Sequence, residues 1–251
     1  MSHLSAIGFG VHTNDDFNHL IEQVLSVATE HSTHENLTYL RYTDPSGAEI
    51  WLYGDNNSND IVGMVPCFLP SQTQNFGVSS IEPIIDDEQC GDGSAYGWLD
   101  PTEYSDGEFD GFYPLLVDLP DYLNHHASHK VQKARLTLFA ESADLFTDED
   151  AFSRSQENDE LKYGSESFIP IGTFTDDENP NDKMSASALM GCKVIKSELR
   201  TNQLTQNQFY WCLVETYGSS YEVVYPIDMF DIMPQVGNII FGEYWITGRF
   251  E

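Results

Sequence analysis

Short apolar runs separated by turn-forming residues fill the C-terminal quarter of this chain, and this pattern constrains the fold more than any other feature of the sequence. Strand-like segments lie near residues 189–200, 207–216, 220–226 and 237–250. Each is rich in β-branched or aromatic residues and is bounded by polar turn residues, as strands are. Four strands within residues 187–251 are compatible with a small antiparallel β-barrel of the OB-like or SH3-like kind.

The N-terminal part begins with a strand and a helix. Residues 3–11 predict a short, mostly buried strand. Thr13, followed by Asp15 and Asp16, is typical of a helix start, because a capping hydroxyl and carboxylates satisfy and stabilise the positive end of the helix dipole. Apolar residues then recur at helical spacing, which predicts an amphipathic helix over residues 14–30.

Three further strands follow that helix. Residues 36–43 and 48–54 are predicted strands joined by the tight-turn sequence Asp44-Pro45-Ser46-Gly47, and residues 60–69 predict another strand. The expected fold class is therefore α+β and β-rich, with an N-terminal strand-helix-strand-strand-strand unit followed by the small C-terminal barrel.

The order of elements over residues 3–69, with His3 in the first strand, resembles one module of the vicinal oxygen chelate superfamily. Trp51 stands where the pattern of that family has a metal-binding glutamate, and no second module follows. For this reason we carry over neither the metal site nor the activity of that family.

The middle of the chain separates these two units. Residues 131–141 alternate between apolar and polar side chains, which predicts a half-exposed strand. Polar and acidic residues dominate the segment that follows. We therefore divide the chain into an acidic α+β domain at 1–141, a polar connecting region at 142–186 and the small barrel at 187–251.

Acidic residues are distributed unevenly along the chain. The sequence has 41 Asp and Glu against 11 Lys and Arg, a formal net charge of −30. Residues 1–129 contain 21 of the acidic residues and a single basic one, Arg41. Their carboxylates must be solvated, bind cations, pair with the few basic residues of the second half or face a cationic partner.

This charge excludes some functions and favours another. Nucleic-acid binding needs Lys and Arg to neutralise phosphates, and an anionic membrane surface is repelled in the same way. A basic protein would instead be attracted. We expect a non-catalytic interaction protein that docks a basic protein partner, as an inhibitor or immunity protein does. The alternative is that the acidity serves only solubility in salty or cold marine water.

The docking surface is expected within residues 82–110, which contain no Lys or Arg. Aromatic residues alternate with acidic ones there, and aromatic anchors inside a polar rim are typical of protein interfaces. The residues predicted to bind the partner are Asp86, Asp87, Glu88, Asp92, Trp98, Asp106, Glu108 and Asp110. Alternatively, the aromatic side chains, Phe109 among them, fasten a long loop to the core.

Metal binding is a second function class. Asp106, Glu108 and Asp110 stand at the first, third and fifth positions of a segment whose sixth residue is Gly111, which matches the start of a calcium loop. Val117 replaces the bidentate glutamate expected at the twelfth position. A solvated acidic loop is the alternative interpretation.

A pair of histidines offers a different metal site. His125 and His129 would lie one turn apart on the same face of a helix, a spacing that can hold zinc. The glutamate of an HExxH zinc-protease motif is absent, because His126 follows His125. Histidines on a solvent-exposed loop or helix end are the alternative.

Recognisable catalytic motifs are absent from the sequence, which contains neither GxSxG nor GxxxxGK[ST]. An enzyme without a recognisable motif is the third function class. The four cysteines Cys67, Cys90, Cys192 and Cys212 have no CxxC spacing and are expected to be reduced core residues. With neither a secretory signal nor a membrane-spanning apolar run, we expect a cytoplasmic protein.

Overall fold

Strands dominate this protein. The structure, a computed structural model, describes residues 3–11, 13–84, 90–103, 108–125, 130–175 and 183–251. Of these described residues, 52% lie in strands and 12% in helices.

The helical elements are few and short. The α-helices are α1 (Asn14–Leu25) and α2 (Glu149–Ser155), and single turns of 3-10 helix lie at Ser5–Ile7, Tyr122–Asn124 and Ile171–Thr173. The strands are β1 (Thr29–Thr33), β2 (Leu37–Thr43), β3 (Ala48–Asp55), β4 (Ile61–Phe68), β5 (Gln74–Pro83), β6 (Gly93–Leu99), β7 (Thr102–Glu103), β8 (Phe109–Asp110), β9 (Pro114–Leu119), β10 (Lys130–Phe146), β11 (Ser167–Ile169), β12 (Ser187–Thr201), β13 (Gln208–Thr216), β14 (Ser219–Pro226) and β15 (Ile239–Phe250).

The first four strands form an antiparallel sheet in the order β1-β2-β3-β4. Its third strand is buried on both faces, because Ile50 and Leu52 pack in one apolar cluster while Trp51 and Tyr53 pack in another. A strand covered on both sides is unusual in a small antiparallel sheet, which commonly keeps one face in water. The strand β3 is therefore covered on both faces, whereas β1 at the edge of the same sheet is mostly exposed.

Nine strands form a second, mixed sheet in the order β11-β12-β13-β14-β10-β15-β9-β6-β5. The pairs β10–β14 and β15–β9 are parallel, and the other pairs are antiparallel. Further pairings join β12 to β15 and β10 to β5. The long strand β10 pairs with β15 along one edge and with β5 and β14 along the other, so it is the centre of the sheet.

The two sheets pack directly against each other. One apolar cluster joins Leu20 and Val24 of α1 and Ile50 of β3 to Phe139 of β10 and Trp211 of β13. At about 25 cal/mol per Å² of buried apolar surface, such side chains contribute about 1.5–3 kcal/mol each. This contact fixes the four-stranded sheet over β10 and β15.

The predicted fold class is wrong in its arrangement. The predicted C-terminal strands exist as β12 to β15, but a small barrel is not evident among the described residues. Instead, β10 lies between β14 and β15 and joins these strands to a nine-stranded sheet. Pairing between strands that are far apart in the sequence produces no local sequence pattern. The strands within residues 187–251 were therefore predicted to pair only with one another. The division at 141 and 186 as independent domains stays a prediction.

The N-terminal unit also differs from the prediction. Residues 3–11 contain a 3-10 helix rather than a strand, and Gly8, at φ 80°, ends it. The helix α1 ends at Leu25 rather than at residue 30, because Thr29 already begins β1. The capped helix start, the strands β2 to β4 and the turn at Gly47, with φ 96°, are confirmed.

Candidate functional site

Three of the five arginines of this acidic chain meet at one pocket. The cavity has a volume of about 240 Å³ and lies where β1 and β2 approach the ends of β10 and β15. We call it the arginine pocket, and its lining residues are His31, Arg41, Asp121, Arg135, Arg249, Phe250 and Glu251.

The register of the strands brings the arginines together. Arg135 on β10 is directly opposite Arg249 on β15. Arg41 on β2 is directly opposite Trp51 on β3. Like charges on directly opposed residues repel each other, so Arg135 and Arg249 require nearby carboxylates.

Two glutamates supply those carboxylates. Arg249 lies 3.2 Å from a carboxylate oxygen of Glu49, a side chain with 0% exposure. Arg135 binds Glu251 through two nitrogens, with Nε donating at 2.7 Å and the second amino group at 2.6 Å. Both nitrogens contact the same oxygen, Oε1, so Arg135 holds this carboxylate at a single oxygen atom. The Arg135 guanidinium also donates to the Pro70 carbonyl at 2.8 Å.

Trp51 holds the remaining arginine. The Arg41 guanidinium carbon lies 5.3 Å from the centre of the indole ring, and that of Arg249 lies 5.7 Å from it. The negative face of an aromatic ring attracts such cations. Arg41 takes part in none of the ion pairs found among the described residues. Its charge is therefore held beside the cavity by the ring rather than by a carboxylate.

Asp121 and His31 also line the pocket, and their protonation states add to its charge. Burial opposes ionisation of Asp121, but its hydrogen bonds with His125, at 3.1 Å, and with Asn124, at 3.3 Å, outweigh burial and lower its pKa. Burial and the charge of Arg41 lower the pKa of His31 from 6.5. Near neutral pH, Asp121 is therefore ionised and His31 is uncharged.

Sequence reasoning missed the arginine pocket. Arg41 was recognised as the single basic residue of the first half of the chain. A lone cation among so many carboxylates was the one feature of the sequence that could have indicated a site at this residue. Arg135 was assigned to an exposed face of its strand. That face is instead covered in part: Lys133 is exposed and Arg135 is half-buried, whereas Thr137 is buried and donates to the Phe68 carbonyl at 3.3 Å.

The predicted docking patch is described only in part. Asp92 and Trp98 lie near opposite ends of β6, and Glu108 and Asp110 lie at the β7–β8 hairpin beyond its far end. At about 3.3 Å per residue, the length of β6 separates Asp92 from the hairpin by roughly 20 Å. The partner-binding role of these residues stays a prediction. The residues Asp86, Asp87, Glu88 and Asp106 lie outside the described part of the chain.

Aromatic residues of that patch fasten the hairpin to the nine-stranded sheet. Phe109 is buried, and its ring packs so closely on Gly77 that a Cβ there would lie 2.9 Å from it. Gly111 packs on the Leu99 carbonyl, which leaves no room for a Cβ there, and on the Cβ of Trp98. This packing supports the alternative interpretation, in which these side chains anchor a loop.

Neither predicted metal site is assembled among the described residues. No group of three or more His, Cys, Asp or Glu in that part of the chain could hold a metal ion. His125 is bonded to Asp121, and Asp110 accepts a hydrogen bond from the Gly111 N–H at 2.8 Å. Since His129 and Asp106 lie outside the described residues, the calcium and zinc sites stay predictions.

A second cavity, of about 500 Å³, surrounds Asp118. Burial raises the pKa of this carboxyl group, which accepts hydrogen bonds from Ser94 and from the indole N–H of Trp245, both at 2.6 Å. His3 stacks on the Trp245 ring at 4.4 Å and covers that face. Because Asp118 is already bonded on both oxygens, we interpret this group as a structural link between β9, β6 and β15.

Comparison with known proteins adds nothing to this site, because no protein-family model, no curated protein and no solved structure matches the chain. All four cysteines are buried and free, as predicted. In the part of the chain that the structure describes, no helix has the length and apolar character needed to span a membrane.

Proposed function

We propose that the protein binds a small organic carboxylate in the arginine pocket. The observation that carries this proposal is the convergence of Arg41, Arg135 and Arg249 in a chain with a net charge of −30. Basic residues are scarce in this sequence, yet three arginines line one cavity, and Arg41 is the one of the three without a carboxylate partner in the ion pairs found among the described residues. Arginine forks are suited to carboxylates.

The contacts of the pocket indicate the class of ligand. Glu251 already places a carboxylate on Arg135, and its side chain is partly exposed. Arg41 is held on the Trp51 ring, and its N–H groups can donate hydrogen bonds to the carboxylate of a ligand. Phe250 forms an apolar wall beside them. These features favour an anion with a small apolar body, so benzoate is a suitable probe.

Calorimetric titration of benzoate tests the proposal. Removing the Arg41 charge with Arg41→Gln should weaken binding about tenfold, since a charge-assisted hydrogen bond contributes about 1.5–3 kcal/mol. Arg154→Gln, which removes an arginine from α2, is the matched control and should bind as the unaltered protein does. Glu251→Gln should strengthen binding, because the internal carboxylate competes for Arg135.

Circular dichroism of each variant would show that folding is retained. Two results would contradict the proposal. One is an equal loss of benzoate binding in Arg41→Gln and Arg154→Gln, and the other is no benzoate binding in either the unaltered protein or Glu251→Gln.

A further inference from the structure

The connection between β14 and β15 exposes aliphatic side chains to solvent. We call residues 227–238 the aliphatic loop. Ile232 is 61% exposed and Val236 is 71% exposed, and Ile227 is exposed as well. Exposed aliphatic residues that are scattered singly need no explanation, but several in one place mark an interaction site.

A fourth exposed residue extends this surface onto the neighbouring strand. The Gly237 N–H donates to the Val194 carbonyl at 2.9 Å, which places the loop beside β12. The register of β12 against β13 shifts between Val194 and Lys196, and Ile195 is exposed at this bulge. Bulges re-aim side chains in this way.

Hydrogen bonds and a buried ring fix the aliphatic loop in place. Asn238 donates from its amide to the Thr147 carbonyl at 2.9 Å and accepts from the Gln235 N–H at 2.8 Å. Phe230 is buried against Tyr225, with the ring centres 5.2 Å apart. A surface ordered before binding costs less entropy when a partner arrives.

A cavity of about 360 Å³ has Ile232 in its lining. Its apolar lining comes from Ala143 and Leu145 of β10 and from Met229 and Phe230 of the loop. Interfaces of proteins concentrate their binding energy where an apolar side chain of one partner fills a pocket of the other. The cavity is suited to such an anchor.

Acidic residues surround the apolar surface and define the charge of its partner. Asp144 and Asp231 line the cavity, and Asp228 is exposed on the same loop. None of the three takes part in the ion pairs found among the described residues. Two basic residues lie on the β12 side: Lys193 pairs in register with Ile239, and Lys196, next to Ile195, forms an ion pair with Glu198.

We infer that the aliphatic loop docks a protein segment in which Lys or Arg flanks one aliphatic or aromatic anchor. The anchor fills the cavity that Ile232 lines, and the basic residues face Asp144, Asp228 and Asp231. Charge complementarity of this kind raises the association rate and excludes acidic partners. A second copy of this chain fits poorly, because two molecules of charge −30 repel each other.

The test uses an array of synthetic peptides with one Leu, Ile or Phe flanked by Lys or Arg, and a matched array with Glu in place of the basic residues. Binding is measured by fluorescence anisotropy at physiological salt. The unaltered protein should prefer the basic array, and Ile232→Ser combined with Val236→Ser should weaken binding at least tenfold. Val62→Ser, at an exposed position on β4, is the control and should have no effect.

A second pair of variants tests the charge. Asp144→Asn with Asp231→Asn should weaken binding several-fold, whereas Glu22→Gln with Glu35→Gln, two exposed acids elsewhere, should not. Equal losses in both pairs would show that the basic peptides bind the general field of the protein, and would overturn the inference. So would a dimer in sedimentation that dissociates in the Ile232 and Val236 variant, because a second copy would then cover the loop.

Discussion

Trp51 is the residue on which the charges of the arginine pocket depend. Its ring is fully buried, lies against Arg41 and Arg249, and meets His31 edge-on with the ring centres 4.8 Å apart. The indole N–H has no hydrogen-bond partner among the described residues. A buried donor without a partner costs about 1–3 kcal/mol, so packing and attraction to the two cations must offset that cost.

His31 gives the folded protein a pH dependence. The pKa of His31 is lower in the folded protein than the ordinary histidine value of about 6.5. Near and below that pH, the unfolded chain therefore carries more bound proton at His31 than the folded protein does. The contribution of His31 to stability is therefore present at neutral pH and is lost as the pH falls through that range. Between pH 7.5 and 5.5, urea unfolding should show a larger loss of stability, or a smaller gain, for the unaltered protein than for His31→Gln.

A control separates this effect from the loss of any surface histidine. His19 lies on α1 and bonds to Gln23, so His19→Gln is the matched variant. An identical pH dependence in the unaltered protein and in His31→Gln would contradict the explanation.

At the scale of elements, local chemistry was sufficient for some segments and misleading for others. The strands β2 and β3 were predicted because they flank the tight-turn sequence Asp44-Pro45-Ser46-Gly47, whose last residue has a positive φ. The strand β1 was missed, since Thr29–Thr33 is polar and continues a helical pattern. Arg41, Arg135 and Arg249 could not be brought together from the sequence, because strand pairing alone makes them neighbours.

The start of α1 can be tested directly. The Thr13 hydroxyl accepts from the Asp16 N–H at 3.1 Å, and the Asp16 carboxylate accepts from the Thr13 N–H at 2.9 Å. Thr13→Ala should lower the free energy of unfolding by about 1 kcal/mol, measured by urea denaturation, because the Asp16 N–H loses the hydroxyl that accepts its hydrogen bond. Thr13→Ser keeps the hydroxyl and should lose much less; an equal loss in both would argue against capping.

At the scale of the whole molecule, charge opposes compactness. The ion pairs found among the described residues engage few of the 41 acidic side chains, so most of the negative charge is solvated. Self-repulsion of this size destabilises the folded state and is screened by salt. The net charge follows from the composition, whereas the few ion pairs that neutralise part of it could be located only in the folded structure.

Thermal melting separates screening from metal binding. Raising sodium chloride from about 20 to 500 mM should raise Tm, because the Debye length falls below the spacing of many surface charges. An equal Tm with micromolar calcium or zinc and with a chelator would leave charge screening as the effect of added ions. A large shift at micromolar metal would instead support the predicted ligands Asp106 and His129.

The position of β10 between β14 and β15 sets an order of events during synthesis. Residues 130–146 leave the ribosome long before residues 219–250. Of the strands that pair with β10 in the described part of the chain, β5 alone is made by then. Unpaired strand edges are templates for association with other chains, and sheets closed by distant strands fold slowly. The nascent chain is therefore exposed to aggregation through much of its elongation, and we expect its yield to depend on chaperones that shield β10 until the last strand arrives.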